Sequence, residues 1–148
     1  MLSVLDSKSQ EHTILRDSIL PGLVENLSKN IHESYPQKLF EIGTVFSRSK
    51  PISETIDLAG IIAYKESNYS EMKAILQSIL KTGFKIDSKT TTPQNDVSIF
   101  SDGRNSDVVV DEKIIGSIGE FSPNVLENFK IRASVVGFEI KLSGLIFD

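Results

Sequence analysis

The sequence predicts an α+β fold built on a mainly antiparallel sheet flanked by helices. Three observations point there. Extended apolar segments outnumber helical ones, short Asp/Gly and Asp-Glu turns join several of them, and only three segments carry helical signals. At 148 residues the chain has the length of one domain, taken as residues 1–148, and can bury a core without disulfides.

Leu2 to Leu5 reads as a short strand, Asp6 to Gln10 as a polar turn, and Thr13 to Arg16 as a second extended piece. A helix should open near Ser18. Ile19, Leu20, Leu23, Val24, Leu27 and Ile31 recur every three to four residues, and Pro21 sits in the first turn, where its missing N–H costs nothing. Tyr35-Pro36 marks the exit. Lys38 to Arg48 alternates as a strand should. Its Phe40, Ile42, Thr44 and Phe46 face is the more apolar one, and is expected to point inward. Ser49 to Ser53, holding Pro51, reads as a loop. Leu58 to Tyr64 is nearly continuous in apolar residues, which predicts an interior strand covered on both faces.

Ser67-Asn68 should cap an amphipathic helix over 69–82, with Met72, Ile75, Leu76, Ile79 and Leu80 as its stripe and Gly83 as a left-handed C-terminal residue. Thr90 to Pro93 reads as loop. Val97 to Phe100 and Asp107 to Val110 are expected strands joined by a turn at Asp102-Gly103, and Asp111-Glu112 turns the chain into a strand over 113–119. Ser122-Pro123 has the order of an N-cap followed by proline at the first helical position, opening a short helix to Phe129. Val135 to Leu142 is the last strand. The expected core comprises Ile19, Leu23, Leu27, Phe40, Ile42, Phe46, Ile61, Leu76, Ile79, Leu126 and Phe138.

Composition narrows the function. Sixteen Lys and Arg against twenty Asp and Glu give −4, spread without blocks of like charge, so nothing tracks a phosphate backbone. The absence of cysteine excludes disulfides, thiolate zinc sites and cysteine nucleophiles, and fits a reducing cytoplasm. The first charge falls at Asp6, too early for a signal-peptide core, and no apolar run would span a membrane. His12 and His32 stand twenty residues apart without partners at metal-ligand spacing, and read as surface or cap residues. Asp102-Gly103-Arg104 could be a phosphate loop but reads better as a turn. Gly116 and Gly119 lack the fuller glycine spacing of a nucleotide loop and read as a bulge or close backbone approach. Glu41 and Glu120 could face a cleft, though a solvated strand face is the commoner role.

A longer pattern runs through the chain. Leu15-Arg16-Asp17-Ser18-Ile19-Leu20-Pro21-Gly22-Leu23-Val24, Asn30, and 36–46 ending Glu41-Ile42-Gly43-Thr44-Val45-Phe46 come first. Tyr69-Ser70-Glu71-Met72-Lys73, Gly103-Arg104-Asn105-Ser106, the run 114–129 through Gly116-Ser117-Ile118-Gly119-Glu120-Phe121-Ser122-Pro123, and Gly137-Phe138-Glu139-Ile140 follow in order. Together they resemble the class II synthetase-like core of the phenylalanyl-tRNA synthetase beta subunit. The resemblance implies an antiparallel sheet flanked by helices, a pseudo-catalytic module beside an alpha subunit that holds the working site, and an alpha–beta heterotetramer. The complete enzyme of that family activates phenylalanine with ATP and magnesium and transfers it to tRNA in the cytoplasm. The resemblance puts no catalytic, cofactor or metal residue on this chain. Active class II enzymes carry an arginine directly after the strand ending Gly-x-Val-Phe, where it grips the ATP α-phosphate. Here Ser47 holds that position, and Arg48, one residue on, points to the opposite face. No arginine follows Arg132 to serve the third class II motif. The family's beta chain is several times longer, so this chain is expected to be a piece of one. It would contact tRNA only within the whole enzyme, and no membrane. An alternative is a regulatory pseudo-synthetase binding a small amino acid, like the histidyl-tRNA synthetase-like subunits, which lack the Ile-Gly-Ser-Ile-Gly-Glu-Phe-Ser-Pro run. A true small-molecule ligase is disfavoured by Ser47.

Overall fold

A computed structural model describes residues 2–3 and 14–145. Among them, Leu2–Ser3 (β1) pairs with Ile14–Leu15 (β2) in a short antiparallel ribbon. The remaining strands are Gln37–Phe46 (β3), Glu54–Ala63 (β4), Lys89–Thr91 (β5), Phe100–Val110 (β6), Lys113–Phe121 (β7) and Val135–Lys141 (β8). They form one sheet in the order β3-β4-β8-β7-β6-β5, antiparallel at every pairing. Three helices accompany it: Leu20–Lys29 (α1), Tyr69–Ser78 (α2) and Pro123–Asn128 (α3). The α+β class with an antiparallel sheet is the one the sequence predicts. The expected turn over 6–10 and His12 lie outside the described residues. No described helix is long and apolar enough to cross a membrane.

The strand alternation divides the core in two. Ala59, Ile61, Ala63 and Val45 face α1, whose Leu20, Leu23, Val24 and Leu27 close over them. Leu58, Ile62, Val136, Phe138 and Ile140 face the other way, toward Met72, Leu76 and Leu80. Strand β4 is therefore covered on both sides, as its apolar run predicts.

Five expectations need correction. Strand β3 has the opposite phase: Val45 is buried, while Phe40 and Ile42 are 45% and 62% exposed. The reason is position, since β3 is an edge strand and α2 lies over β7 and β8, leaving the Phe40 face uncovered among the described residues. Phe40 keeps one contact there, its ring 6.3 Å from that of Phe138 across Gly60. Phe46, Ile79 and Leu126 are half-buried rather than fully enclosed. The second helix ends its α-helical part at Ser78 and continues as a wider π turn over Ile79–Gly83, so the left-handed residue is Lys85 (φ 59°) and not Gly83. Of the two short strands expected around Asp102-Gly103, residues 97–99 are not extended but form a turn in which Phe100 N donates to Val97 O at 3.0 Å. Strand β6 then runs unbroken from Phe100 to Val110, with Gly103 (φ 73°) and a shifted register between Phe100 and Asn105 absorbing the bend. Finally, Lys89–Thr91, expected as loop, adds an edge strand to β6.

Other local readings hold. Asn68 accepts the Glu71 N–H at 3.0 Å and Ser122 that of Val125 at 3.4 Å, capping α2 and α3. Asp111 and Glu112 both take positive φ in the two-residue turn between β6 and β7, as a tight hairpin requires.

Candidate functional site

Two carboxylates on neighbouring central strands organise the molecule. Glu139 of β8 points to the α1 side of the sheet, where its Oε1 accepts from Ser18 Oγ (2.7 Å) and from the backbone N–H groups of Ile19 (2.8 Å) and Leu20 (3.0 Å). Those are the unpaired donors at the start of α1, and no side chain of that helix caps them. Glu120 of β7 points to the other side, accepting from Tyr69 N at the start of α2 (3.3 Å) and from Arg104 Nη1 (2.9 Å). Each sheet face thus supplies the negative charge for the helix it carries.

Around Glu139 the α1 side is rich in acid. Asp57 of β4 is 8% exposed, pairs in register with Gly43 and Lys141, and accepts from Thr55 Oγ1 at 3.3 Å. Burial first, then the hydrogen bond and negative charge of Glu139, push the Asp57 carboxyl up from 3.8 to about 7. Thr55 and the charge of Lys141 pull the other way, so Asp57 is held toward its protonated form beside Glu139. Farther along the same face Glu41 holds Arg16 Nη1 at 2.6 Å, while Arg16 Nε donates to Thr44 O at 3.0 Å. The guanidinium lies over Gly43, where any Cβ would collide with it. This face offers three carboxyl groups, with Arg16 already paired to Glu41 and Lys141 opposite Asp57.

The residues singled out by sequence go to separate places. Glu41 and Glu120 are each ion-paired, and Glu120 anchors a helix, so neither is simply a solvated strand position. Arg104 follows the Gly103 bend within a strand. Gly116 and Gly119 sit where the Glu139 backbone and the Phe100 and Asn105 side chains come too close for a Cβ, which is the close approach expected of them. His32 is exposed. Ser47 Oγ lies 2.6 Å from both Ser49 Oγ and Ser53 Oγ, and Arg48 reaches Asp17 at 3.3 Å. Among the described residues no three His, Cys, Asp or Glu side chains converge on a common point. Sequence reasoning passed over Asp57, and took Glu139 only as part of a longer pattern. The signal was faint: Asp57 directly precedes the apolar run of β4, and Glu139 is the one acid of β8.

A second concavity opens at the other end of the sheet. A groove of about 1350 Å³ lies between α3, the turn after it, the chain beyond α1 and the first residues of β8. Leu126, expected in the core, is half-buried because it lines this groove.

Residues 1–142 match the family described as the phenylalanyl tRNA synthetase beta chain CLM domain. The phenylalanine–tRNA ligase beta subunit of Archaeoglobus fulgidus is 39% identical over 145 residues, covering 98% of this chain and 25% of that protein. Those of Natronomonas pharaonis and Methanocaldococcus jannaschii are 38% and 37% identical over 97% and 95% of the chain, and 25% and 26% of their own lengths. The chain therefore spans about a quarter of these relatives. In fold it is similar to the pyrrolysyl tRNA synthetase PylSc of Desulfitobacterium hafniense, with a TM-score of 0.69, 18% identity, and coverage of 88% of this chain and 48% of that one.

Proposed function

Because the chain belongs to the phenylalanyl tRNA synthetase beta chain CLM domain family, we propose that it is a non-catalytic class II module of a longer phenylalanine–tRNA ligase beta subunit, residues 1–148 forming one domain whose work is assembly with the alpha subunit. The observation that carries this reading is the acidic sheet face beneath α1. Glu41, Asp57 and Glu139 all lie on it, and of its cations Arg16 is already held by Glu41 while Lys141 stands opposite Asp57. Phosphoryl and adenylyl transfer need preorganised positive charge on the phosphates. A triphosphate brought to this face would meet carboxyl groups instead.

The class II resemblance supports the same reading. On that resemblance Ser47 stands where active class II enzymes carry the phosphate-gripping arginine, and its hydroxyl lies 2.6 Å from two other serine hydroxyls. Arg48 is turned to Asp17 on the surface. On this reading ATP, magnesium, phenylalanine and the tRNA 3′ end are handled by the alpha subunit of the complete enzyme. This module retains a class II shape because a partner of the same shape docks beside it.

Phenylalanine-dependent ATP–pyrophosphate exchange tests the chemistry: the 148-residue protein shows none. Robust exchange, abolished by Arg48→Ala, overturns the proposal. Calorimetry with ATP, phenylalanine and histidine should be silent. Binding of an amino acid alone would instead establish a regulatory pseudo-synthetase. Co-purification tests the assembly role: a full beta chain holds the matching alpha subunit stably, and the 148-residue chain holds it weakly at best.

A further inference from the structure

The groove at the α3 end of the sheet combines an apolar floor with cations that have no counter-ion among the described residues. Ile31, Phe121, Leu126 and Val135 form the floor, and Lys130 and Arg132 stand on the rim. Three of the chain's four arginines meet a carboxylate, Arg16 at 2.6 Å, Arg48 at 3.3 Å and Arg104 at 2.9 Å. Arg132 has no such partner among the described residues, and neither has Lys130. Of the two acids in the lining, Glu120 is held by Arg104, which leaves Glu127 alone against two free cations. Local charge is thus positive on a chain whose net charge is −4.

Lys130 is held there against its conformational preference. Helix α3 ends in a Schellman arrangement, with Lys130 N donating to Glu127 O at 2.9 Å and Ile131 N to Leu126 O at 2.9 Å. The residue between must take a left-handed conformation, and Lys130 has φ 58°. Glycine takes that position without strain, so a lysine there forfeits stability.

We propose that this groove docks an extended segment of a protein partner, one that carries an apolar side chain flanked by carboxylates. The floor takes the apolar side chain, and Lys130 and Arg132 take the acids as charge-assisted hydrogen bonds. An RNA strand fits less well. Two free cations neutralise few phosphates, and Tyr35 is the one exposed aromatic of the lining. This surface is apart from the acidic face on which the non-catalytic reading rests, and either can fail without the other.

Selection from a random peptide library displayed on phage, followed by fluorescence anisotropy on the enriched peptides and on a single-stranded RNA of similar length, tests the proposal. Enriched peptides should combine Leu, Ile or Phe with nearby Asp or Glu. Arg132→Glu should weaken them by about tenfold or more, as expected for loss of a charge-assisted contact plus repulsion. Lys113→Glu makes the same charge change at the opposite end of β7 and should leave them unaffected. Lys130→Gly supplies a readout that a merely structural lysine would not give. It should raise the thermal midpoint by about 2–4 °C while weakening the peptides several-fold. No enrichment, enrichment of basic peptides, equal binding by the Arg132 and Lys130 variants, or tighter Arg132-dependent binding of the RNA would each overturn it.

Discussion

Asp57 and Glu139 show how one proton can be built into a fold. Asp57 is pushed up to about 7 by burial and by its neighbour, against 3.8 for the ordinary group. Below about pH 4 it is protonated in the folded and the unfolded chain alike, and the folded state's preference for the neutral form contributes in full. Between about pH 4 and 7 the unfolded chain releases the proton and the folded chain keeps it, so stability falls as pH rises and levels off above 7. A loss of about 2–4 kcal/mol across that window is expected from the size of the shift. Urea titrations at stepped pH check it. Asp57→Asn keeps a donor toward Glu139 while removing the titration, and its stability should stay within about 1 kcal/mol from pH 5 to 8. Glu139→Ala makes the complementary case. It strands Ser18 Oγ and two backbone N–H groups at the start of α1, and should cost about 2–4 kcal/mol at neutral pH.

Strand β3 carries the clearest lesson among the elements. Its alternation is unambiguous, and its Phe40 and Ile42 face is the more apolar one, yet the buried positions belong to the other face. Hydrophobicity ranks the faces correctly only when a layer covers both or covers the greasier one. Here α1 covers the Leu39, Glu41, Gly43 and Val45 face, with Arg16 folded over Gly43. Truncation should separate the two phenylalanines that meet across Gly60. Phe138→Ala, at a fully buried position, should cost about 3–5 kcal/mol. Phe40→Ala should cost about 1 kcal/mol, because nearly half of that side chain already lies in water. Equal losses in chemical denaturation would mean that the Phe40 face is covered in solution. The two helices on opposite faces share one device, a sheet carboxylate at the N-terminus, with Glu139 serving α1 and Glu120 serving α2. For α1, which has no cap of its own, the strand residue fixes where the helix begins, while α2 also carries its local cap Asn68.

For the whole molecule, the distribution of charge bears on its partners. The chain is acidic overall, Arg16, Arg48 and Arg104 are consumed by carboxylates, and the free cations of the groove are two. Counterion release on that scale supports little affinity for a polyanion. The 148-residue chain should therefore bind tRNA no more tightly than tens of micromolar in about 150 mM salt, well short of specific recognition. Filter binding or anisotropy with labelled tRNA checks this, and submicromolar binding would make the domain an RNA-binding one.

The sequence by itself determined the α+β class, the antiparallel character, the family, and most element boundaries, because caps, turns and periodicity act over a few neighbouring residues. Ser122-Pro123, Asn68 and the Asp111-Glu112 turn needed no tertiary context to be read. The sequence did not single out Asp57, and it held Glu139 only within the longer pattern, because an acid beside an apolar run does not say what faces it. Tertiary structure decided what those acids do. Residues 82 positions apart become neighbours only when β4 pairs with β8, and only then does Glu139 push the Asp57 carboxyl up. It decided the phase of β3, which depends on which face a distant helix covers. It decided that the chain runs through Asp102-Gly103 as one strand, β6, where pairing with β7 on either side of the bend, at Phe100 and from Asn105 on, outweighs the local turn preference. And it assembled the groove, whose floor and rim come from segments a hundred residues apart, so that no local pattern announces it.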